Sequence, residues 1–384
     1  MATLSRAVLL GAALLIAWRV LQVNAVAYGE TNRPELRLPT EGERRRPALE
    51  RALAANPARV EALVLLGVER DREGDPKAAA RAFASALEVA PVDRASLRAG
   101  AVLDAREGRV ADSLGKLDAL LTYYGDEREW VFPLLLQWLA VPQAAAALEA
   151  LAARPSAWMG AFLTHSCGKA DPTHTAALLV RRIAAGQARN DEVGCGIEGL
   201  RRGGQTPAAY QLWLNTLPRE RLAEVGYVFN GSFEHAPTGL GFDWIADARS
   251  PAHAVDYPLA SDAAGRRALR VTWSGKRVAG PAIHQFAALT PGRYRLTGLA
   301  RMEGLQSVRG IQWALRCADE RRSVLGVSPR FLGAGDWEPF AFEVDVPARC
   351  SGQVLQLEPV GLNEGTTFVM GKAWFDDLRA TRTN

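Results

Sequence analysis

The sequence predicts a multidomain chain that is α-helical first and β-rich afterwards, with an N-terminal membrane helix, an α-solenoid of helix pairs and a C-terminal antiparallel β-sandwich. Three observations support this fold class. The N-terminus carries a long uncharged run, matching residues recur at a spacing of thirty-four, and apolar residues alternate with polar ones after about Tyr227. The recurring pairs are Ala52 and Ala86, Pro57 and Pro91, and Gly74 and Gly108.

Composition places the chain among folded proteins. Of its 384 residues, 48% are hydrophobic and 23% charged, which allows a sizeable core. The net charge is only +4, and no strong basic run is present, so the sequence does not predict a nucleic-acid partner.

The N-terminal 1–28 segment is predicted to be a membrane anchor or an uncleaved signal. Residues 7–18 are uncharged, and a span of about 20 residues forms only if Arg19 reaches the membrane interface. The alternative is a cleaved signal peptide ending at Ala25-Val26-Ala27. Residues 29–46 are predicted to be a linker. The expected localisation is the bacterial inner membrane, single-pass, with the bulk of the chain in the periplasm, although Arg44, Arg45 and Arg46 favour the opposite orientation.

The four cysteines also bear on the compartment in which the chain resides. Cys167 and Cys195 lie in the predicted helical part, and Cys317 and Cys350 lie in the β-rich part. An even number within each part favours two structural disulfides in an oxidising compartment. The alternative is four buried thiols.

Residues 47–225 are predicted to be the helical domain. Small residues at Gly67, Ala79 and Ala86 allow two helices to approach closely, and Phe83 fills the space between them. Gly74 favours a helix C-terminus, and Pro91 cannot continue a helix. This pattern resembles the tetratricopeptide repeat family closely over about 45 residues and weakly over about another 130. The resemblance implies a groove that binds a protein partner.

Residues 226–384 are predicted to form the β-sandwich. Apolar residues alternate with polar ones in several short runs, which are separated by turn signals such as Pro291-Gly292. In the run 311–317, the alternation places Trp313 and Cys317 on the inward face and Gln312 and Arg316 on the outward face.

Short motifs at both ends of this part carry a second resemblance. It opens with Asn230-Gly231-Ser232-Phe233-Glu234 and closes with Ala373-Trp374-Phe375-Asp376-Asp377-Leu378. Together with Gly335-Asp336-Trp337, this order resembles the jelly-roll carbohydrate-binding modules of bacterial polysaccharide enzymes. The resemblance implies a structural calcium ion held by Glu234 and Asp376, whose hard oxygen donors suit that ion. The alternative is that both carboxylates serve strand pairing or turns.

Sugar binding requires flat aromatic faces and a few polar groups in a concave site. The candidate rings are Trp244, Tyr257 and Trp313, and the candidate hydrogen-bonding partners are Arg295 and Gln312. The competing interpretation is that the rings are core residues, because Trp313 shares its parity with core positions. Outward arginines such as Arg270, Arg295 and Arg316 would suit an acidic polysaccharide or form an ordinary solvated face.

No catalytic motif was found for a serine hydrolase, a zinc protease or a phosphate-binding loop, so the sequence predicts no enzyme. The layout of anchor, helical scaffold and sugar-binding-like sandwich resembles accessory proteins of exopolysaccharide or O-antigen assembly. The predicted function is a periplasmic scaffold that binds a protein partner and a polysaccharide. The alternatives are a protein-interaction scaffold that binds no sugar, and a glycan hydrolase without a recognisable motif.

Overall fold

A computed structural model of the chain describes residues 45–247, 249–260, 266–319, 322–361 and 367–383. The described residues belong to two compact units. The first contains residues 45–148 and 156–158, and the second contains residues 149–155 and the described residues from 159 onward.

The first unit is helical. Its helices are α1 Arg45–Ala55, α2 Val60–Arg72, α3 Pro76–Val89, α4 Arg94–Arg106, α5 Val110–Tyr123 and α6 Arg128–Trp138, and α7 Pro142–Ala152 begins in it. Contacts between α2 and α3 and between α4 and α5 form successive helix pairs.

The thirty-four-residue spacing corresponds to the turn between the helices of each pair. Gly74 and Gly108 adopt φ angles of 80° and 75°, which an L side chain rarely adopts. Asp75 then caps α3 by accepting a hydrogen bond from the Ala78 amide at 3.0 Å. Between α2 and α3, an added Cβ at Gly67 would overlap the Phe83 ring, so the small residue is required there. The helix pairs match the predicted pattern, while the tetratricopeptide and solenoid assignments remain predictions.

The second unit begins with further helices and continues into strands. The helices are α8 Met159–Ser166, α9 Pro172–Ala184, α10 Asn190–Arg202, α11 Thr206–Leu214 and α12 Arg219–Leu222. A disulfide between Cys167 and Cys195 joins the segment that follows α8 to α10.

Ten strands follow. They are β1 Ile245–Ala246, β2 His253–Asp256, β3 Leu269–Arg277, β4 Ile283–Ala287, β5 Gly292–Ser307, β6 Ile311–Cys317, β7 Val324–Val327, β8 Gly333–Val346, β9 Gln353–Pro359 and β10 Phe368–Thr383. They form a first sheet with the order β1-β4-β9-β6-β7 and a second sheet with the order β2-β3-β10-β5-β8. Every pairing is antiparallel. The predicted order of helices followed by an antiparallel β-sandwich is confirmed.

One hydrophobic core holds the two sheets together. It contains residues from both sheets, including Trp313 and Leu357 from the first and Val271, Tyr294 and Phe375 from the second. The buried positions of β3 follow the period of two that the sequence shows, and so do Ile311, Trp313, Leu315 and Cys317 of β6, where Ala314 is buried as well. Alternation therefore decides which side chains fill the core and which lie on the outer faces.

The second disulfide, between Cys317 and Cys350, connects the end of β6 to the segment before β9, with Cα atoms 5.7 Å apart. The pairing of cysteines within each part is thus confirmed. Both Cys317 and Cys350 are buried, at 2% exposure.

Replacing both Cys317 and Cys350 by serine is expected to lower the free energy of unfolding by about 2–4 kcal/mol, since the bond closes a long loop in the unfolded chain. The sequence separation is 33 residues. Chemical denaturation of the oxidised protein and of this variant measures the difference. Equal midpoints would show that the bond does not contribute to stability.

One finding shows that the predicted localisation is wrong. Among the described residues, no helix combines the length and the apolar content needed to cross a bilayer. This overturns the placement as a single-pass protein of the inner membrane with its bulk in the periplasm. The 1–28 segment, to which the membrane anchor was assigned, and most of the linker at 29–46 lie outside the described residues.

Candidate functional site

The outer face of the first sheet carries an array of polar side chains on two neighbouring strands. Gln312 and Arg316 of β6 point away from the core, because Ile311, Trp313, Leu315 and Cys317 between and beside them are buried. On β9, Glu358 lies directly opposite Gln312, and Gln356 lies opposite Ala314. The register therefore brings two amides, a guanidinium and a carboxylate together.

Glu358 is the centre of this array. Its two oxygens accept hydrogen bonds from Arg316, at 2.7 Å from Nη2 to Oε1 and 3.1 Å from Nε to Oε2. Gln312 Nε2 donates to Oε1 at 3.4 Å, and Gln356 Nε2 donates to Oε2. The side chain of Glu358 is only 13% exposed, and that of Arg316 25%. A largely buried carboxylate that accepts hydrogen bonds from three side chains fixes the orientation of all three.

The array lies in a depression that we call the sheet groove. It consists of two adjoining hollows of about 260 and 450 Å³, which share Arg316, Arg322, Gln356 and Pro281. The side chains that bring charge, hydrogen-bonding groups or aromatic rings to the lining are Arg201, His284, Phe286, Gln312, Arg316, Arg322, Gln356 and Glu358. The volume suits a small ligand or a short segment of a polymer.

One end of the sheet groove is formed by β4 and by helix α10. His284 and Phe286 lie on the outer face of β4, with their rings 5.5 Å apart and edge to face. The guanidinium of Arg201, from the last turn of α10, lies over the Phe286 ring at 4.2 Å from its centroid. Burial, and after it the positive charges of Arg322 and Arg201, lower the pKa of His284. His284 is therefore a neutral imidazole at neutral pH.

Aromatic packing fixes the helices against the sandwich within this unit. Trp213 of α11 meets Phe229 edge to face at 4.9 Å, and Tyr210 meets Phe242 at 5.0 Å. Helices α10 and α11 pack against each other, so Arg201 is held beside β4 by the same contacts. The groove wall is thus part of the folded core of this unit.

The structure places two of the sequence-predicted rings in the interior. Trp244 is 1% exposed and Trp313 is 0% exposed, and the two rings pack at 5.6 Å. The Trp244 indole N–H donates to the Asn230 carbonyl at 3.0 Å. Neither ring can lie against a ligand on the surface, because the sandwich core already covers both faces.

Tyr257 is half-buried and stacks on Phe233 at 6.1 Å. Burial, with a smaller contribution from Asp243 and Asp256, raises the pKa of its phenol. It packs against the sandwich core and does not line the sheet groove.

The two predicted hydrogen-bonding partners lie on different sheets. Gln312 lines the sheet groove. Arg295 is on β5 of the second sheet, where it is exposed and forms an ion pair with Glu343 at 3.6 Å. The structure therefore brings only Gln312, of the five predicted sugar-contacting residues, into this site.

The predicted calcium ligands are both engaged by backbone amides. Glu234 Oε1 accepts hydrogen bonds from the amides of Arg266, at 2.5 Å, and Arg267, at 3.0 Å. Asp376 is fully buried, and its Oδ1 accepts a hydrogen bond from the Asp377 amide at 2.7 Å. Within the described ranges, no group of three or more metal-binding side chains comes together. These contacts fit carboxylates that fix turns, and calcium remains a prediction.

Six groove residues were not predicted from the sequence: Arg201, His284, Phe286, Arg322, Gln356 and Glu358. The polar positions of the 353–360 run carried a usable signal, because Gln356 and Glu358 share the outward parity of that strand. Arg201 carried no such signal, because an arginine in a predicted helix indicates only a solvent-exposed helix face.

Comparison with protein families and with curated proteins found no match. Solved structures do match. The chain is similar to a CBM4 structure at 18% identity, covering 41% of this chain and 99% of that chain, with a TM-score of 0.31. It is also similar to the C-terminal family 22 carbohydrate binding module of Clostridium thermocellum Xyn10B, at 14% identity, with 41% and 94% covered and a TM-score of 0.30.

A third similar structure is TmCBM61, solved in complex with β-1,4-galactotriose. The identity is 18%, the coverage is 41% of this chain and 99% of that chain, and the TM-score is 0.28. The β-sandwich of the present chain is established by its own strand pairing.

Proposed function

We propose that this protein binds a glycan in the sheet groove. The observation that carries the proposal is the array around Glu358, in which two amides and a guanidinium are held by one carboxylate on a flat sheet face. Sugars present neighbouring hydroxyl groups that both donate and accept hydrogen bonds. Side-chain amides and carboxylates held in fixed positions match such pairs, and a fixed array loses little entropy on binding.

Phe286 at the end of the groove adds apolar surface beside the polar array, and the guanidinium of Arg201 lies over one face of its ring. Phe286 is half-buried and lies beside His284, whose imidazole is neutral. This combination of a few polar groups with an aromatic side chain is the general composition of a small-molecule site.

The role proposed for the groove is binding without catalysis. Glycoside hydrolysis uses two carboxylates that flank the scissile bond. Among the described residues that line the groove, Glu358 is the one carboxylate, and Arg316 and two glutamines engage it. A carboxylate held in this way orients its neighbours and is poorly placed to act as an acid or a nucleophile.

The proposal extends to the helical unit, which we assign a scaffold role. Successive helix pairs such as α2–α3 and α4–α5 leave surfaces that suit a protein partner. A chain that joins such a scaffold to a glycan-binding sandwich suits an accessory role in the assembly of a polysaccharide.

The test is retention of the purified full-length chain on a glycan array, followed by calorimetry with the glycans retained. Gln312→Ala and Gln356→Ala are each expected to weaken binding about tenfold, because each removes one or two hydrogen bonds to the sugar. Arg295→Ala is the matched control, since Arg295 is exposed on the other sheet, and it should leave the affinity unchanged. Failure to retain any glycan, or equal affinities for all three variants and the parent chain, would refute this assignment.

A further inference from the structure

We infer that the sheet groove selects glycans that carry carboxylate groups, and that helix α10 supplies part of this selectivity through Arg201. The inference rests on the proposed glycan-binding function and goes beyond it, because it assigns the charge class of the ligand. It also assigns a binding role to a helix outside the sandwich.

The first observation is the charge of the lining. Arg201, Arg316 and Arg322 line the same hollow of about 260 Å³. Across both hollows, Glu358 is the only carboxylate among the described lining residues. Counting Glu198, which pairs with Arg201 from outside the lining, three guanidinium groups face two carboxylates. The described groups therefore leave an excess positive charge at the groove, since His284 is neutral.

The second observation is that two of the three guanidiniums are held in place. Glu198 holds Arg201 through two contacts of 2.8 Å, and Glu358 holds Arg316 in the same bidentate manner. The Arg201 side chain is only 19% exposed and also lies over Phe286. Such guanidiniums lose little entropy when an anion binds, and they are weakly hydrated compared with an ammonium group.

The third observation concerns Arg322. It is exposed and has no carboxylate partner among the described residues. Its backbone has a φ of 45°, which is unusual for a residue with a side chain, and its carbonyl accepts a hydrogen bond from Arg316 Nη1 at 3.1 Å. Arg316 thus fixes the backbone that carries the third cation, and a ligand carboxylate would supply a counter-charge that the described residues do not provide.

The ligand class follows from the geometry of these groups. A guanidinium binds a carboxylate through two parallel hydrogen bonds, and the amides of Gln312 and Gln356 lie alongside for hydroxyl groups. A uronic acid residue presents both functions on one ring. With a neutral sugar bound, Arg201 and Arg316 would keep Glu198 and Glu358, but Arg322 would gain no counter-charge.

The experiment compares two forms of one polymer. Polygalacturonate carries a carboxylate on every residue, and its fully methyl-esterified form carries none. Alginate and hyaluronate test the same charge on other backbones. We expect the full-length chain to bind at least one carboxylate glycan at least tenfold more tightly than its esterified form, with affinity that falls as salt is raised.

Arg201→Gln and Arg322→Gln are each expected to weaken that binding about tenfold and to leave binding of the esterified glycan unchanged. Arg202→Gln is the matched control. Arg202 is the next residue of the same helix, pairs with the same Glu198 and is 76% exposed, but it does not line the groove. It should behave as the parent chain.

The outcomes separate this inference from the function on which it rests. Equal affinity for acidic and esterified glycans, with sensitivity to Gln312→Ala retained, would overturn the acidic selectivity and leave glycan binding intact. Equal loss in Arg201→Gln and Arg202→Gln would overturn the role of Arg201. If no acidic or neutral glycan bound at all, both proposals would fall together.

Discussion

Replacing Glu192 by glutamine is expected to lower the free energy of unfolding of the second unit by about 3–5 kcal/mol, because it leaves a buried arginine without its counter-charge. Glu192 lies in the first turn of α10 and pairs with Arg182 of α9, with 3.0 Å between Nε and Oε2. The two side chains are only 1% and 6% exposed. This is the most deeply buried of the ion pairs between described residues.

The surroundings of the pair explain why one oxygen-to-nitrogen change has so large an effect. Arg182 Nη2 donates to Glu192 Oε1 at 3.3 Å and to the Gln187 carbonyl at 2.8 Å. The Arg189 amide donates to Glu192 Oε2 at 3.4 Å. Glutamine keeps the size of the side chain but replaces one acceptor by a donor that faces a cation. Solvent cannot compensate, since the guanidinium is buried.

The adjacent residue provides the control. Asp191 pairs with Arg189 at 2.6 Å, and both side chains are more than half exposed. Asp191→Asn is expected to leave the unfolding midpoint close to that of the parent chain, because exposed pairs contribute little. Urea denaturation of Glu192→Gln and Asp191→Asn measures the contrast. Similar midpoints for the two variants would contradict the burial argument, and partial recovery of stability in Arg182→Met/Glu192→Met would support it.

The parity of strand residues was the most reliable guide that the sequence offered. It placed Trp313 and Cys317 inward and Gln312 and Arg316 outward, and the structure agrees for all four. It also argued against Trp313 as a sugar-contacting residue, and the buried position of that ring bears out the argument. Alternation is a local property, so it can be recognised without knowledge of strand pairing.

The groove itself depends on contacts that no local pattern contains. Arg316 and Glu358 are 42 residues apart, and they meet only because β6 and β9 pair in one particular register. Arg201 reaches Phe286 because aromatic packing holds α10 and α11 against the sandwich. Both contacts depend on the tertiary structure. The sequence therefore identifies single residues but does not show that they form one site.

Trp313→Ala is expected to destabilise the sandwich by about 3–5 kcal/mol, the cost of removing a large ring from a packed core. The Trp313 ring packs against Trp244 at 5.6 Å and against Phe375 at 5.3 Å, which joins the first sheet to the second. All three side chains are at most 1% exposed.

The same residue distinguishes a core role from the ligand-contacting role that sequence reasoning considered. Trp313→Phe keeps an aromatic ring and most of the volume, so it is expected to cost less stability than Trp313→Ala and to fold. Because Gln312 and Glu358 lie on the opposite face of the sheet, Trp313→Phe should bind glycan with unchanged affinity. Thermal unfolding monitored by circular dichroism, together with calorimetric binding, measures both effects.

These two readouts give opposite results under the two interpretations. Replacing a core residue changes the unfolding midpoint and leaves the affinity of the folded fraction for glycan unchanged. A ligand-contacting ring would spare the midpoint and change the affinity, as Gln312→Ala is expected to do. A Trp313→Ala protein that unfolded at the parent midpoint and yet lost glycan binding would place the ligand against this ring, and the sheet groove could not then be the binding face.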